Sequence, residues 1–152
     1  MTIVNYDRNK HQQFIDMLVE YFNDIPEHIT RGRILDLFHA EQQQSIIQIA
    51  LCLDNQNPIG FTIYQIDRPE SDWCKRPGWG FIREFYISPE YRNKGFGSQL
   101  AAYSEIELQR LGAKQLYVTA EASIGFWEQC GYINTHTRCS NDQFIKIGRA
   151  HV

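Results

Sequence analysis

The stretch Phe81 to Leu100, FIREFYISPEYRNKGFGSQL, runs a strand through a short loop of Arg, Lys and Gly into the start of a helix. That arrangement forms an anion site. Backbone N–H groups of the loop and the first helical turn have no intrahelical acceptor, and the helix dipole adds partial positive charge. Gly95 and Gly97 let an oxyanion approach without a Cβ in the way. Arg92 and Lys94 add two full charges. The expected ligand is a phosphate or pyrophosphate, cradled by successive amides from Asn93 to Ser98.

Two other phosphate patterns fail. The dinucleotide fingerprint GxGxxG has Leu100 where its third glycine belongs, and GxxxxGK[ST] is absent. A helix start that happens to carry glycines and basic residues accounts for Gly95 and Gly97 alone, but less well for Arg92-x-x-Gly95-x-Gly97 after a strand and Pro89. That spacing resembles the acyl-CoA-binding motif [RQ]-x-x-G-x-[GA] of the GNAT N-acetyltransferase superfamily. The later segment Phe126-Trp127-Glu128-Gln129-Cys130-Gly131-Tyr132 resembles the family's F-Y-E-x-x-G-F element, so the likeness covers Phe81 to Tyr132. The coarse order of strands and helices agrees from end to end.

The resemblance implies a mixed α/β fold of the GNAT type. Its mostly antiparallel sheet has about seven strands, a V-shaped split and about four flanking helices. It also implies acetyl-CoA as the acyl donor, with no metal. Phe85, Tyr86 and Ile87 would hydrogen-bond the pantetheine arm as an added strand, and an N–H near Ile87 would stabilise the oxyanion. Arg92, Asn93, Lys94, Gly95, Phe96, Gly97 and Ser98 would hold the pyrophosphate. Dimers are common among proteins of this kind, so a homodimer is an expectation too.

A Lys-like amine with a pKa of about 10.4 is protonated at pH 7, so freeing its lone pair costs on the order of 4.6 kcal/mol. Glu84, the only carboxylate in the Phe81 to Ser88 strand, is the candidate base. Side chains alternate along a strand, so Glu84 either faces the cleft or turns away and pairs with Arg83 or Arg92. Protonating a leaving thiolate is worth only about 2 kcal/mol. The family's usual acid is a Tyr where this chain has Trp127, and an indole N–H does not deliver a proton at neutral pH. Either the thiolate leaves unaided or another phenol substitutes, with Tyr132 the first candidate and Tyr117 the second. Trp127 then packs against pantetheine or substrate, or serves as plain core.

The surrounding elements follow from periodicity. Thr2 to Tyr6 reads as a strand, and Phe14, Leu18, Tyr21, Phe22 and Ile25 mark one face of a helix ending before Pro26. A second helix is predicted from about Thr30 to Ala40. Ile46–Leu53 and Ile59–Ile66 read as a hairpin joined by the five residues Asp54 to Pro58. Asp67 to Gly80 is a loop whose Trp73 and Trp79 either line an acceptor pocket or cap the sheet edge. The long helix from Gly97 stops at Gly112. Strand Gln115–Thr119, helix Ile124–Cys130 and strands Tyr132–Arg138 and Gln143–Gly148 complete an antiparallel arrangement around one parallel pair.

Composition narrows the partners. A chain of 152 residues, 43% hydrophobic and 22% charged, suits one folded domain spanning residues 1–152 rather than a disordered segment. No apolar run reaches the roughly 20 residues of a membrane helix, and MTIVNYDRNK carries no secretion signal, so no membrane partner and a cytoplasmic location are expected. A net charge of -3 offers no broad basic surface, so no nucleic-acid partner is expected. Cys52, Cys74, Cys130 and Cys139 lack zinc or disulfide spacing and read as reduced thiols; the five histidines form no metal pair. Glu20, Asp24, Glu27, Asp36 and Glu41 either attract a cationic amine or are solvated helix faces. The function that follows is acetyl transfer from acetyl-CoA to a small-molecule or peptide amine by direct attack. The rivals are a non-catalytic acyl-CoA sensor or partner-docking domain that keeps the cofactor site, and a nucleotide-binding module using the same loop.

Overall fold

The computed structural model of the chain describes residues 1–7, 9, 11–22, 38–70, 74–120, 123–138 and 142–147. The elements are β1 (Thr2–Asn5), α1 (His11–Phe22), α2 (helical at residues 38–43), β2 (Gln48–Asp54), β3 (Asn57–Ile66) and β4 (Gly80–Ile87). They continue with α3 (Phe96–Arg110), β5 (Gln115–Ala120), α4 (Ile124–Gln129), β6 (Ile133–Arg138) and β7 (Asp142–Ile147). The expected start of the second helix at Thr30 lies outside the described residues, as do Trp73, Asp24, Glu27, Asp36 and Cys139.

The strands form one sheet in the order β1-β2-β3-β4-β5-β7-β6. The parallel pair expected in the middle is β4 with β5, registered from Gly80↔Leu116 to Ile82↔Val118. β1–β2, β5–β7 and β6–β7 are antiparallel. The last strand enters between β5 and β6, pairing Tyr117 with Ile145 on one side and Ile133 with Ile145 on the other. The link between β2 and β3 is tighter than the five residues expected. Only Asn55 and Gln56 turn the chain, at φ 49° and 71°, because ladder pairing recruits Asp54, Asn57 and Pro58 into the strands. Two successive positive φ values match the right-handed twist of a two-residue hairpin.

The chain forms two compact units, each built from two separate stretches: Met1–Ile63 with Glu84–Leu100, and Tyr64–Arg83 with Ala101–Val152. In the first, Phe14, Met17 and Leu18 of α1 pack with Ile49, Leu51, Phe61, Ile63 and Tyr86, as the helical stripe requires. Full burial of a ring such as Phe14 is worth about 1.5–3 kcal/mol. Gly60 has a packing reason, since a Cβ there would meet the carbonyl oxygen of Tyr86 at 2.4 Å. In the second unit, Phe81 and Tyr117 stack across the parallel pair at 4.4 Å. The last turn of α3 closes as anticipated, with Gly112 N–H donating to Gln109 at 3.0 Å and Ala113 N–H to Leu108 at 3.0 Å. Among the described residues, no helix is long and apolar enough to cross a membrane.

Candidate functional site

β4 leads into the loop through a 3-10 turn at Pro89–Tyr91, secured by Tyr91 N–H to Ser88 at 2.9 Å and Arg92 N–H to Pro89 at 3.2 Å. Ser88 N–H donates to Ile59 O at 2.8 Å. Because successive residues of a strand alternate their amides, the N–H and C=O of Ile87 point to the opposite edge. The Arg92 side chain takes that carbonyl, its Nε donating to Ile87 O at 2.7 Å, and its guanidinium lies 5.4 Å from the Tyr86 ring centre. Arg92 thus fastens the end of β4 to the loop, a role that its charge alone did not suggest. Lys94 Nζ lies 5.7 Å from the ring centre of Tyr91, which in turn contacts Phe96 at 6.1 Å.

Asn93 and Gly95 take positive φ, 61° and 87°, to turn the chain into α3. A Cβ on Gly95 would meet nothing within 4 Å, so glycine is required there for its backbone freedom rather than for space. Gln99 N–H donates to Gly95 O at 3.2 Å, which makes Gly95 the N-cap. Phe96, Gly97 and Ser98 then present first-turn N–H groups without an intrahelical acceptor. No acidic residue occurs between Tyr91 and Leu100. The donor set suits a phosphate or pyrophosphate, as the motif implies.

Glu84, Tyr86 and Ser88 share one face of β4, the face met by the end of α1. The Tyr21 hydroxyl donates to Glu84 Oε2, and the Tyr21 ring lies edge-on to Tyr86 at 5.5 Å and to Phe61 at 5.3 Å. One turn position away, Glu20 Oε2 accepts from Ser88 Oγ at 3.2 Å. Burial first, then the charge and hydrogen bond of Glu84, raise the Tyr21 phenol above the ordinary range. Tyr21 and Glu84 are 63 positions apart, and sequence reasoning assigned Tyr21 only to the core stripe. Phe85 is half-buried, whereas Tyr86 and Ile87 are buried.

The second unit holds the remaining candidates. Trp127, 6% exposed, packs edge-on between Phe126 at 4.9 Å and Tyr132 at 5.4 Å. The Tyr132 hydroxyl is buried without a hydrogen-bond partner of ordinary geometry among the described residues. Burial, and then the negative charge of Glu105, push its phenol far above the usual range. Tyr117 gives its hydroxyl to buried Asp67, which also accepts from Gln65 Nε2 at 3.1 Å and from the amides of Lys75 and Arg76, both at 2.9 Å. Trp79 meets Tyr117 edge-on at 6.3 Å and carries the Arg76 guanidinium 4.7 Å from its ring centre. Sequence reasoning did not single out Asp67. Cys52 is a buried free thiol, pushed up to about 11 chiefly by burial, so it is no nucleophile near neutral pH.

The profile of the acetyltransferase (GNAT) family matches residues 11–132. No curated protein sequence matches the chain significantly. Among solved structures, the fold is similar to the aminoglycoside 6'-N-acetyltransferase AAC(6')-IG of Acinetobacter haemolyticus, with a TM-score of 0.74 and 12% identity over 91% of this chain and 95% of that one. It is similar to the PaiA N-acetyltransferase of Thermoplasma acidophilum in complex with coenzyme A, with a TM-score of 0.70 and 16% identity over 97% and 100%. The aminoglycoside 6'-N-acetyltransferase of Enterococcus faecium gives a TM-score of 0.73 and 14% identity, covering 97% of each chain. At these identities the likeness is one of fold.

Proposed function

The chain belongs to the acetyltransferase (GNAT) family, and from that premise we propose that it moves the acetyl group of acetyl-CoA onto a primary amine by direct attack, with Glu84 as the base. Acetyl-CoA supplies a thioester carbonyl activated for transfer. The observation that carries the reading is the sequence of β4, the Arg92 clamp and three first-turn amides, Phe96, Gly97 and Ser98, without intrahelical acceptors. Those amides and Lys94 would hold the pyrophosphate, and Asn93 and Gly95 shape the turn that presents them. The edge of β4 bearing the Phe85 and Ile87 amides would take the pantetheine arm as an added strand, whereas the Tyr86 N–H and C=O alternate to the edge shared with β3 and so lie outside that pairing. An amide near Ile87 would offset negative charge developing on the carbonyl oxygen.

In this reading Glu84 removes one proton from the ammonium of the acceptor, the freed nitrogen bonds the acyl carbon, and as the carbon–sulfur bond breaks the nitrogen gives up its second proton to water, leaving the neutral amide. The thiolate leaves and takes a proton from water, since protonation is worth only about 2 kcal/mol at pH 7. Tyr132, with its acidity weakened by burial, and Trp127, with an indole N–H, serve packing rather than proton delivery.

Thiol release measured over a panel of primary amines tests this. The panel includes an aminoglycoside, because two of the fold neighbours are named for that acceptor, together with spermidine and a lysine-containing peptide. Amine-dependent release is expected, and Glu84→Gln should lower kcat by about 10²-fold while leaving the KM for acetyl-CoA within about twofold. Binding of acetyl-CoA with no release for any amine would favour the sensor alternative, and unchanged turnover in Glu84→Gln would remove Glu84 as base.

A further inference from the structure

We propose that Tyr21 is a positioning residue for Glu84, its hydroxyl fixing the carboxylate on the α1-facing side of β4 and favouring its ionised, proton-accepting form. The inference rests on the reading of Glu84 as the base. Tyr21 sits in the last turn of α1, and its ring is wedged edge-on against Phe61 at 5.3 Å and Tyr86 at 5.5 Å. Two packed rings leave the phenol little rotational freedom, so the hydroxyl reaches Glu84 Oε2 from a fixed direction. A donor aimed at a carboxylate stabilises the charged form over the neutral one. Burial keeps the phenol protonated, so it stays a donor across the working pH range.

Among the described residues, other titratable or charged groups on this face include Glu20 of α1, Tyr86 of β4 and Arg92 of the following loop. Glu20 is engaged by Ser88 Oγ at 3.2 Å, and Arg92 is held by Ile87 O at 2.7 Å with its guanidinium on the Tyr86 ring. Tyr21 donates directly to the Glu84 carboxylate. The arrangement gives the carboxylate a fixed orientation and holds it in the form that accepts a proton, at the cost of some basicity.

The experiment compares the full chain with Tyr21→Phe and Glu84→Gln, recording kcat/KM against pH with whichever of kanamycin, spermidine or a lysine-containing peptide turns over fastest. The ionisation of the free amine is the same for every variant, so any displacement between profiles belongs to the protein. Tyr21→Phe keeps the ring packing and removes only the donor. Its acid limb is expected to move up by about 1 pH unit, with severalfold loss below the limb and recovery toward wild-type rates above it. The KM for acetyl-CoA should stay unchanged. If Glu84→Gln loses turnover while the Tyr21→Phe profile superimposes on the wild type, the positioning role is overturned and the base stands. If Glu84→Gln turns over normally, the base assignment falls, and the role of Tyr21 with it.

Discussion

Arg92 Nε donates to the main-chain carbonyl oxygen of Ile87 at 2.7 Å, which ties the last residue of β4 to the loop that opens α3. The first basic residue of the motif therefore acts on protein backbone. In the proposed reading it would serve an anion ligand by holding the amide donors of Phe96, Gly97 and Ser98 beside the strand edge. Arg92→Ala is expected to raise the KM for acetyl-CoA about tenfold, the scale of one lost hydrogen bond from a charged group, with kcat changed less than threefold. Steady-state kinetics with acetyl-CoA varied checks this, and a fall confined to kcat would argue against the clamp.

Two glycines are required for different reasons, and alanine separates them. At Gly95 a Cβ meets nothing within 4 Å and the difficulty is φ +87°, so Gly95→Ala should cost about 1–2 kcal/mol and Gly95→Asn less. At Gly60 the added Cβ meets the Tyr86 carbonyl at 2.4 Å and Ile87 Cδ1 at 2.7 Å, so β3 and β4 must separate. Gly60→Ala should cost about 3 kcal/mol or leave the chain unfolded. Urea unfolding midpoints rank the three variants, and equal midpoints for Gly60→Ala and Gly95→Ala would contradict the distinction.

Much of this local chemistry was legible in the residues. Gly112 and Gly131 end helices with positive φ, and the Arg92-x-x-Gly95-x-Gly97 spacing marks the turn from strand to helix. These signals lie within a few residues of the feature that they specify. The tight turn at Asn55 and Gln56 was less clear, because Asp54, Asn57 and Pro58 are also turn formers and only ladder pairing shows which of them the strands absorb. The insertion of β7 between β5 and β6 is non-local and leaves no mark in the order of elements. The partner of Glu84 was illegible for the same reason, since the helix pattern gives Tyr21 a buried ring but no destination for its hydroxyl.

Asp67 shows how a buried charge can organise a loop without a motif. Its carboxylate, 1% exposed, accepts from the Tyr117 hydroxyl, the Gln65 amide and the backbone of Lys75 and Arg76. Asp67→Ala strands these donors and is expected to destabilise the chain by about 3 kcal/mol or more. Tyr117→Phe removes one donor and keeps the Phe81 stack, so about 1–2 kcal/mol is expected. Thermal unfolding of both variants provides the check, and a cost for Tyr117→Phe equal to that of Asp67→Ala would assign the stability to the ring pair instead.

The most direct test concerns where coenzyme A is held. Isothermal titration of coenzyme A into the wild-type chain and into Gly97→Phe, with circular dichroism to establish that both are folded, places a bulky side chain in the first turn of α3 beside the three amides. Saturable heat for the wild type and none for the folded variant is the expected result. Equal affinities would contradict a pyrophosphate site at Phe96, Gly97 and Ser98.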